Sequence, residues 1–215
     1  MEEYLLPLFP LEVVLLPEEL LPLHIFEERY KQMIGECLEA KTVGSIQQEF
    51  GVVHVKDQAL SPVGCTARIV NVTRKYTSGR MDILTVGKRR FEILLTNEEM
   101  AYLRAAVDFF DDDEGSETAG EAEALRAIEL FRGIKQRLHK SAEMPIHLPP
   151  PYKYLSFRIA ASLPLDLEFK RQLLSIRNET ERLGRVIRVI ELMTSQLDLL
   201  EKARAKSGGN GNLRH

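Results

Sequence analysis

The chain has 215 residues, of which 44% are apolar and 28% are charged, and its net charge is −3. This is the composition of a folded globular protein, and no run of about 18 apolar residues is present to form a membrane-spanning helix. A secretory signal needs a basic start and an unbroken apolar segment, whereas this chain begins with acidic residues and Pro7 and Pro10 interrupt the apolar stretch that follows. We therefore expect a cytoplasmic protein.

The charge changes sign along the chain. Residues 1–110 carry a net charge of −4, residues 111–121 carry −6, and residues 122–215 carry +7. Such a change across an acidic stretch that contains Gly and Ser predicts a domain boundary. We therefore expect an amino-terminal domain over 1–110, an acidic linker over 111–121, and a second domain over 122–205. The Gly- and Asn-rich residues 206–215 are predicted to be a disordered tail.

Short apolar runs in the first part of the chain predict strands. Prolines interrupt the runs Tyr4–Phe9, Val13–Leu16 and Leu21–Phe26. Because proline cannot donate a backbone hydrogen bond, we expect these prolines at edge, bulged or strand-end positions. Over Glu27–Glu39 the apolar period changes to that of a helix, with one face formed by Tyr30, Met33, Ile34, Cys37 and Leu38.

Strand patterns resume at Phe50 and continue to Phe110. Turns are predicted at Ser78-Gly79 and at Gly87-Lys88, each between alternating segments. After the second turn, the buried face of the strand is expected to consist of Phe91, Ile93 and Leu95. This many short strands linked by turns is typical of a small curved antiparallel sheet or barrel.

Every pattern after the acidic stretch is helical. A first helix is predicted over Glu121–Leu138 and a second over Tyr152–Leu163, while Asp166 can cap a third helix and Asn178 a long last one. The inner face of the first of these helices is expected to consist of Leu125, Ile128, Phe131, Ile134 and Leu138. The predicted fold class is therefore α+β, with a curved antiparallel sheet or pseudo-barrel that carries one helix, followed by a helical bundle.

No constellation of catalytic residues stands out in the sequence, although Ser, His and Asp are all present. The Gly-Lys pair at residues 87–88 lacks the surrounding glycines and the following Ser or Thr of a phosphate-binding loop. The five histidines are scattered, Cys37 and Cys65 form no metal-ligand pattern, and no Gly-x-Ser-x-Gly motif marks a nucleophile. We therefore expect no catalytic residue, no cofactor and no metal site.

The basic carboxy-terminal half offers a candidate surface for nucleic acid. A stripe of basic side chains there could contact phosphates, and its members are Lys170, Arg177, Arg182, Arg185 and Arg188. Acidic residues interrupt this stripe and no aromatic stacking platform accompanies it. A solvated helix face is therefore favoured over nucleic-acid binding.

Several segments of the sequence resemble the Lon N-terminal domain family. They are LPLFPL at residues 6–11, LPLHIFEERY at 21–30, VGCTARI at 63–69, GKRRFEI at 87–93 and AASLPL at 160–165. The second segment has the form that is typical of free-standing Lon-domain proteins rather than of the full protease. The resemblance spans about residues 5–200 and is most specific over the first ninety.

The resemblance implies a non-catalytic module that binds proteins or peptides, with an adaptor in protein quality control as one such role. This domain is associated with recognition of unfolded or degron-bearing polypeptides and with assembly, so a homo-oligomer is a further candidate state. In Lon-type proteases an ATPase module and a Ser-Lys protease domain follow it, and neither motif occurs here. A peptidase-associated enzyme is the alternative, which a degradation assay with and without ATP would distinguish.

Two proline-containing segments carry apolar or aromatic groups where the chain changes direction, and such segments stay near the surface. Their candidate peptide-binding residues are His24, Phe26, Tyr152 and Tyr154. Two interpretations are open: these side chains pack the two subdomains together, or part of the set lines a groove between sheet and bundle that accepts an extended apolar peptide.

Overall fold

The structure is a computed structural model that describes residues 5–40, 46–138 and 148–208. Within this part the α+β fold class is confirmed. The strands are β1 (Leu6–Leu11), β2 (Leu20–Ile25), β3 (Glu49–Lys56), β4 (Ala59–Leu60), β5 (Val63–Lys75), β6 (Met81–Asn97) and β7 (Arg104–Phe110). The α-helices are α1 (Glu28–Glu39), α2 (Glu121–Leu138), α3 (Leu155–Ala161), α4 (Leu167–Ser175) and α5 (Glu179–Gly208).

Five strands close into a barrel. The strands follow the order β1-β7-β6-β5-β3, and β1 also pairs with β3 in parallel, which joins the two ends. Phe91 fills the interior together with small and aliphatic neighbours. A Cβ atom on Gly64 would lie 2.5 Å from Cζ of Phe91, so this ring occupies space that a larger residue at position 64 would need.

Pro7 and Pro10 are the second and the second-to-last residues of β1, so the expected strand-end position holds, whereas the expected sheet-edge position does not. Pro7 pairs with β7 alone and Pro10 with β3 alone. Each proline therefore needs hydrogen bonds on one side only, and the strand tolerates both inside a closed barrel. The predicted strand over Val13–Leu16 is also wrong: this segment is a loop, and its buried residues pack into the main core.

The turn predicted at Gly87-Lys88 is wrong, because β6 passes through these residues without interruption. The loop between β1 and β2 crosses the strand here, and the Gly87 N–H donates to the carbonyl of Glu19 at 2.9 Å. A Cβ atom on Gly87 would lie 2.1 Å from the carbonyl oxygen of Leu16. Glycine is therefore needed for the close approach of two backbones rather than for a turn.

On the inner face predicted for α1, Leu38 is exposed. Two further predicted core positions, on β6 and on α2, are also exposed. Phe91 is fully buried as predicted, but Leu95 is exposed because the register between β6 and β7 shifts between Ile93 and Leu95. On α2, Leu125 is exposed, and Ala124 and Ala127 are buried instead. On β6 and on α2 the apolar residues recur with a regular period, but the packing of the neighbouring element determines which of them are buried.

The predicted helix caps are present. The carboxylate of Asp166 accepts from the backbone N–H of Phe169 at 2.8 Å, and the side-chain oxygen of Asn178 accepts from that of Glu181 at 2.9 Å. Helix α3 begins at Leu155, later than predicted, because Tyr154 has a left-handed backbone with φ of 57°. Of the predicted disordered tail, residues 206–208 belong to α5, and the rest lie outside the described residues, as do Tyr4, His139 and His147.

A cluster of buried charges joins the barrel to the helices. The Asp112 carboxylate accepts hydrogen bonds from the guanidinium groups of Arg90 and Arg182, and Arg182 also pairs with Glu179 at 2.6 Å. We call these four residues the junction network. Asp112 belongs to the acidic stretch predicted as a linker, so at least this residue of the stretch is packed between the sheet and the bundle.

Candidate functional site

One face of the paired strands β2 and β6 carries apolar residues that are exposed on β2 and half-buried on β6, with a polar pair at one end. Directly opposed residues of an antiparallel pair share a face, and the register of β2 with β6 pairs Leu20 with Val86, Pro22 with Leu84 and His24 with Asp82. Leu20 is 60% exposed. We call these six residues the outer face. The alternate residues Leu21, Leu23 and Ile25 pack against the main core.

Strand β2 also has a free edge. In the part of the chain that the structure describes, its sole strand partner is β6. In an antiparallel pair, every second residue directs its backbone N–H and C=O toward the partner strand. Because the Gly87 N–H donates to the carbonyl of Glu19, the backbone groups of Leu20, Pro22 and His24 point away from β6. Proline lacks an N–H, and Pro22 therefore lies where this is tolerated.

The end of the outer face is an organised cluster of aromatic and polar groups. The Nδ1 atom of His24 lies 2.5 Å from Oδ1 of Asp82, and the hydroxyl of Tyr76 donates to Oδ2 of Asp82 at 2.9 Å. These two bonds, that from His24 first, lower the pKa of Asp82 below its usual value. The ring of Phe26 stacks on His24 with centroids 5.9 Å apart and is 59% exposed.

Basic side chains surround this cluster. The guanidinium groups of Arg74 and Arg80 lie 4.8 and 5.3 Å from the centre of the Tyr76 ring. Lys31 donates to the carbonyl of Ser78 in the hairpin at 3.1 Å. The exposed Phe26 ring thus lies directly after β2, next to a cluster whose Tyr76 ring is flanked by cations; aromatic rings and arginines are enriched where protein chains contact one another.

Tyr152 and Tyr154 lie elsewhere, in the segment that precedes α3. Both are half-buried and pack against the main core. The hydroxyl of Tyr154 donates to Oδ1 of Asp111 at 3.0 Å, and burial raises the pKa of this tyrosine above its usual value. The ring of Tyr154 lies 6.0 Å from that of Phe157. These contacts hold Tyr154 at the junction of barrel and helices.

The structure thus brings His24 and Phe26 together and does not bring them to Tyr154. Phe157, the ring neighbour of Tyr154, is stacked by Arg90 of β6, whereas His24 pairs with Asp82 of the same strand. Eight residues of strand separate Arg90 from Asp82, about 26 Å at strand rise. Sequence reasoning missed Tyr76, Asp82 and Leu84, and the alternation of Asp82, Leu84 and Val86 is the signal that could have found them.

The predicted basic stripe does not form one surface. Arg182 is fully buried in the junction network. Lys170 pairs with Glu19 at 3.0 Å, and the guanidinium of Arg177 stacks on Phe110 at 4.5 Å. Arg185 donates to Glu181 at 2.9 Å, so four of the five basic residues have partners within the fold.

The two cysteines are buried in the core. Burial raises the pKa of the Cys37 thiol to about 12 and that of Cys65 further. Among residues 5–40, 46–138 and 148–208, no group of His, Cys, Asp or Glu has the arrangement of a metal site. None of the helices in these ranges is both long and apolar enough to span a membrane.

Comparison with known proteins places this architecture in a family. The family model described as the ATP-dependent protease La (LON) substrate-binding domain matches residues 5–192. The chain therefore belongs to the LON substrate-binding domain family. Solved structures agree on the fold: a Lon N-terminal domain protein from Xanthomonas campestris has a TM-score of 0.65 at 24% identity, with 86% of this chain and 97% of that chain covered.

The N-terminal domain of Lon protease from Mycobacterium avium complex has a TM-score of 0.64 at 16% identity, with 87% and 98% of the two chains covered. Among sequence relatives, Lon protease of Buchnera aphidicola is 27% identical over 210 residues, which are 93% of this chain and 26% of that protein. Lon protease 1 of Hydrogenovibrio crunogenus is 25% identical over 88% of this chain and 23% of its own length. The chain spans about a quarter of the length of the curated relatives it matches.

Proposed function

We propose that this chain binds extended apolar segments of unfolded or degron-bearing polypeptides on its outer face, without catalysing a reaction on them. The observation that carries the proposal is the exposed, apolar edge strand β2 in a chain of the LON substrate-binding domain family. An extended polypeptide can add to such an edge through main-chain hydrogen bonds while its alternate side chains contact the face.

The chemistry of the face supports this choice of ligand. Leu20, Pro22, Leu84 and Val86 offer a sequence-tolerant apolar surface, and exposed apolar patches of this kind mark interaction sites. Phe26 supplies an aromatic anchor at one end, and aromatic residues are enriched where binding energy is concentrated. The cations around Tyr76 favour segments that carry acidic residues next to the apolar ones.

Of the four residues suggested by the sequence, we propose that His24 and Phe26 contact the polypeptide. Tyr152 and Tyr154 are proposed to act through packing of the junction. An adaptor role in proteolysis and a cytoplasmic location are compatible with this activity, and the adaptor role requires that bound polypeptides be passed to a protease.

The test is binding of a fluorescently labelled, reduced and carboxymethylated protein, followed by fluorescence anisotropy. We expect Phe26→Ser and Leu20→Ser each to weaken binding about fivefold or more, as for truncation of an anchoring contact. Leu199→Ser is the matched control, because Leu199 is as exposed but lies on α5, and it should change affinity less than about twofold.

Melting temperatures separate binding from folding. All three serine variants replace exposed residues, so each should melt within about 2 °C of the parent. Tyr152→Ala should lower the melting temperature more than it lowers affinity. Unchanged affinity of the Phe26 and Leu20 variants would overturn the proposal, and cleavage of the labelled protein by the purified chain would favour the peptidase alternative.

A further inference from the structure

A second candidate binding site lies on another part of the molecule. A cavity of about 380 Å³ lies between the start of β5 and the helices α4 and α5, a volume at the lower end of the range of small-ligand sites. Its lining combines hydroxyl, guanidinium and apolar groups and includes Ser61, Val63, Arg171, Ser175, Ile176 and Arg185.

Ser61 is the first indication that the cavity receives a ligand. The residue is 6% exposed, and its hydroxyl has no hydrogen-bond partner among the described residues. Its backbone N–H donates to the carbonyl of His54 at 2.8 Å, which places the two residues opposite each other on β3 and the segment after β4. The Nδ1 atom of His54 is likewise buried without a partner in the described chain. Buried polar atoms are nearly always satisfied, and of these two residues Ser61 lines the cavity, so its hydroxyl is left for a ligand to satisfy.

The two arginines come from different helices and retain unused donors. Arg171 on α4 binds Glu168 through Nε and Nη2, at 2.9 and 2.8 Å. Arg185 on α5 donates to Glu181 through Nη2 at 2.9 Å, and no acceptor among the described residues contacts its Nε and Nη1 atoms. A guanidinium carries five N–H donors, so both side chains can hold their carboxylate partner and donate to a ligand.

This set of groups fits a carboxylate with an apolar neighbour. Arginine recognises carboxylates with paired, charge-assisted hydrogen bonds, and the Ser61 and Ser175 hydroxyls can add further donors. Val63 and Ile176 supply an apolar wall beside them. The terminal residue of a polypeptide presents this combination, with an α-carboxylate next to its side chain.

We propose that this cavity binds the carboxy-terminal end of a polypeptide, with the α-carboxylate on Arg185 and Ser61 and an apolar last side chain against Val63 and Ile176. The choice of a polypeptide end over a small carboxylate rests on the proposed function. Helix α4 connects the two sites, because Lys170 pairs with Glu19 at the start of β2 while the next residue, Arg171, lines the cavity.

The test uses isothermal titration of the full chain with an acetylated hexapeptide that ends in Leu, prepared with a free carboxylate and as the amide. We expect the amide to bind about tenfold more weakly or worse, and Arg185→Gln to weaken the free acid to the same degree, as for loss of a charge-assisted pair. Ser61→Ala should weaken binding without lowering the melting temperature, since its hydroxyl has no partner to lose. Arg188→Gln, one turn along the same helix and exposed, should have no effect.

Three results would overturn this inference. The acid and the amide could bind equally, Arg185→Gln could leave affinity unchanged, or acetate and inorganic phosphate alone could bind as tightly as the peptide. The proposed function is tested independently, by the binding of the carboxymethylated protein to Phe26→Ser. A carboxylate-dependent peptide affinity that Phe26→Ser leaves intact would support the cavity even if the outer face failed its own test.

Discussion

Two buried carboxylates of this protein are paired with arginines in different ways. Glu49 on β3 accepts from Thr66, Arg68 and Arg89 at 2.7, 2.5 and 3.3 Å, and the side chains of Arg68 and Arg89 are 35% and 45% exposed. We call these four residues the wall network. In the junction network, by contrast, Arg90, Asp112, Glu179 and Arg182 are all almost completely buried.

The exposure of the paired arginines, more than the ion-pair distance, should determine how much stability each carboxylate contributes. If Glu49 is lost, both arginines of the wall network can turn into water. If Asp112 is lost, Arg90 and Arg182 stay buried, where an uncompensated charge is strongly unfavourable. Arg90 also donates to the carbonyls of Leu174 and Ile176 at 3.1 and 2.6 Å, so the junction network joins β6 to the end of α4.

The largest expected effect is that of Asp112→Asn. Because two buried arginines lose their common partner, this change should lower the free energy of unfolding by about 3–5 kcal/mol, measured by urea unfolding. Asp113→Asn is the control, since Asp113 is the exposed neighbour, and it should cost less than about 0.5 kcal/mol. Equal midpoints for the two variants would show that the junction network contributes no net stability.

Glu49→Gln should have a smaller effect. The amide leaves a buried polar group with weaker partners, which costs about 1–3 kcal/mol, while the half-exposed arginines recover hydration. The control is Glu92→Gln on the exposed face of β6, which we expect to remain within about 0.5 kcal/mol of the parent. A decrease in the free energy of unfolding as large as that of Asp112→Asn would show that the exposure of the arginines does not distinguish the two networks.

Acid should reduce the difference in the free energy of unfolding between the parent and Asp112→Asn. Burial alone would raise the pKa of Asp112, but its bonds to Arg182 and Arg90 outweigh burial and hold the pKa below its usual 3.8. Its contribution is therefore present above pH 3.8 and is lost as the pH falls through the lower, folded-state pKa. Glu179 acts in the opposite direction, since burial raises its pKa, but it is present in both proteins. The urea midpoints of the parent and of Asp112→Asn should therefore lie closer together at pH 3 than at pH 5. A difference between the two proteins that grows at pH 3 would contradict this role of Asp112.

Much of the local structure could be predicted from the sequence. Most of the buried face of α1, the caps at Asp166 and Asn178 and the interior position of Phe91 each depend on residues a few positions apart, whose periodicity or hydrogen bonding is visible in the chain. Of the four candidate binding residues suggested by the sequence, His24 and Phe26 lie in one proline-interrupted segment, and the structure places their rings side by side.

The tertiary structure alone decided the rest. Gly87 has the sequence context of a turn, but a loop from the other end of the domain crosses it. In the sequence Arg182 resembles one of several surface cations, but in the structure it is buried in an ion pair with Asp112, which lies 70 residues earlier. Asp82 and Tyr76 reach His24 only through the register of β2 on β6. The sequence by itself determined most of the elements, the caps at Asp166 and Asn178 and the resemblance to the LON substrate-binding domain family, because these depend on short-range patterns. Burial, register and the site depend on contacts between distant segments, and only the closed fold brings those together.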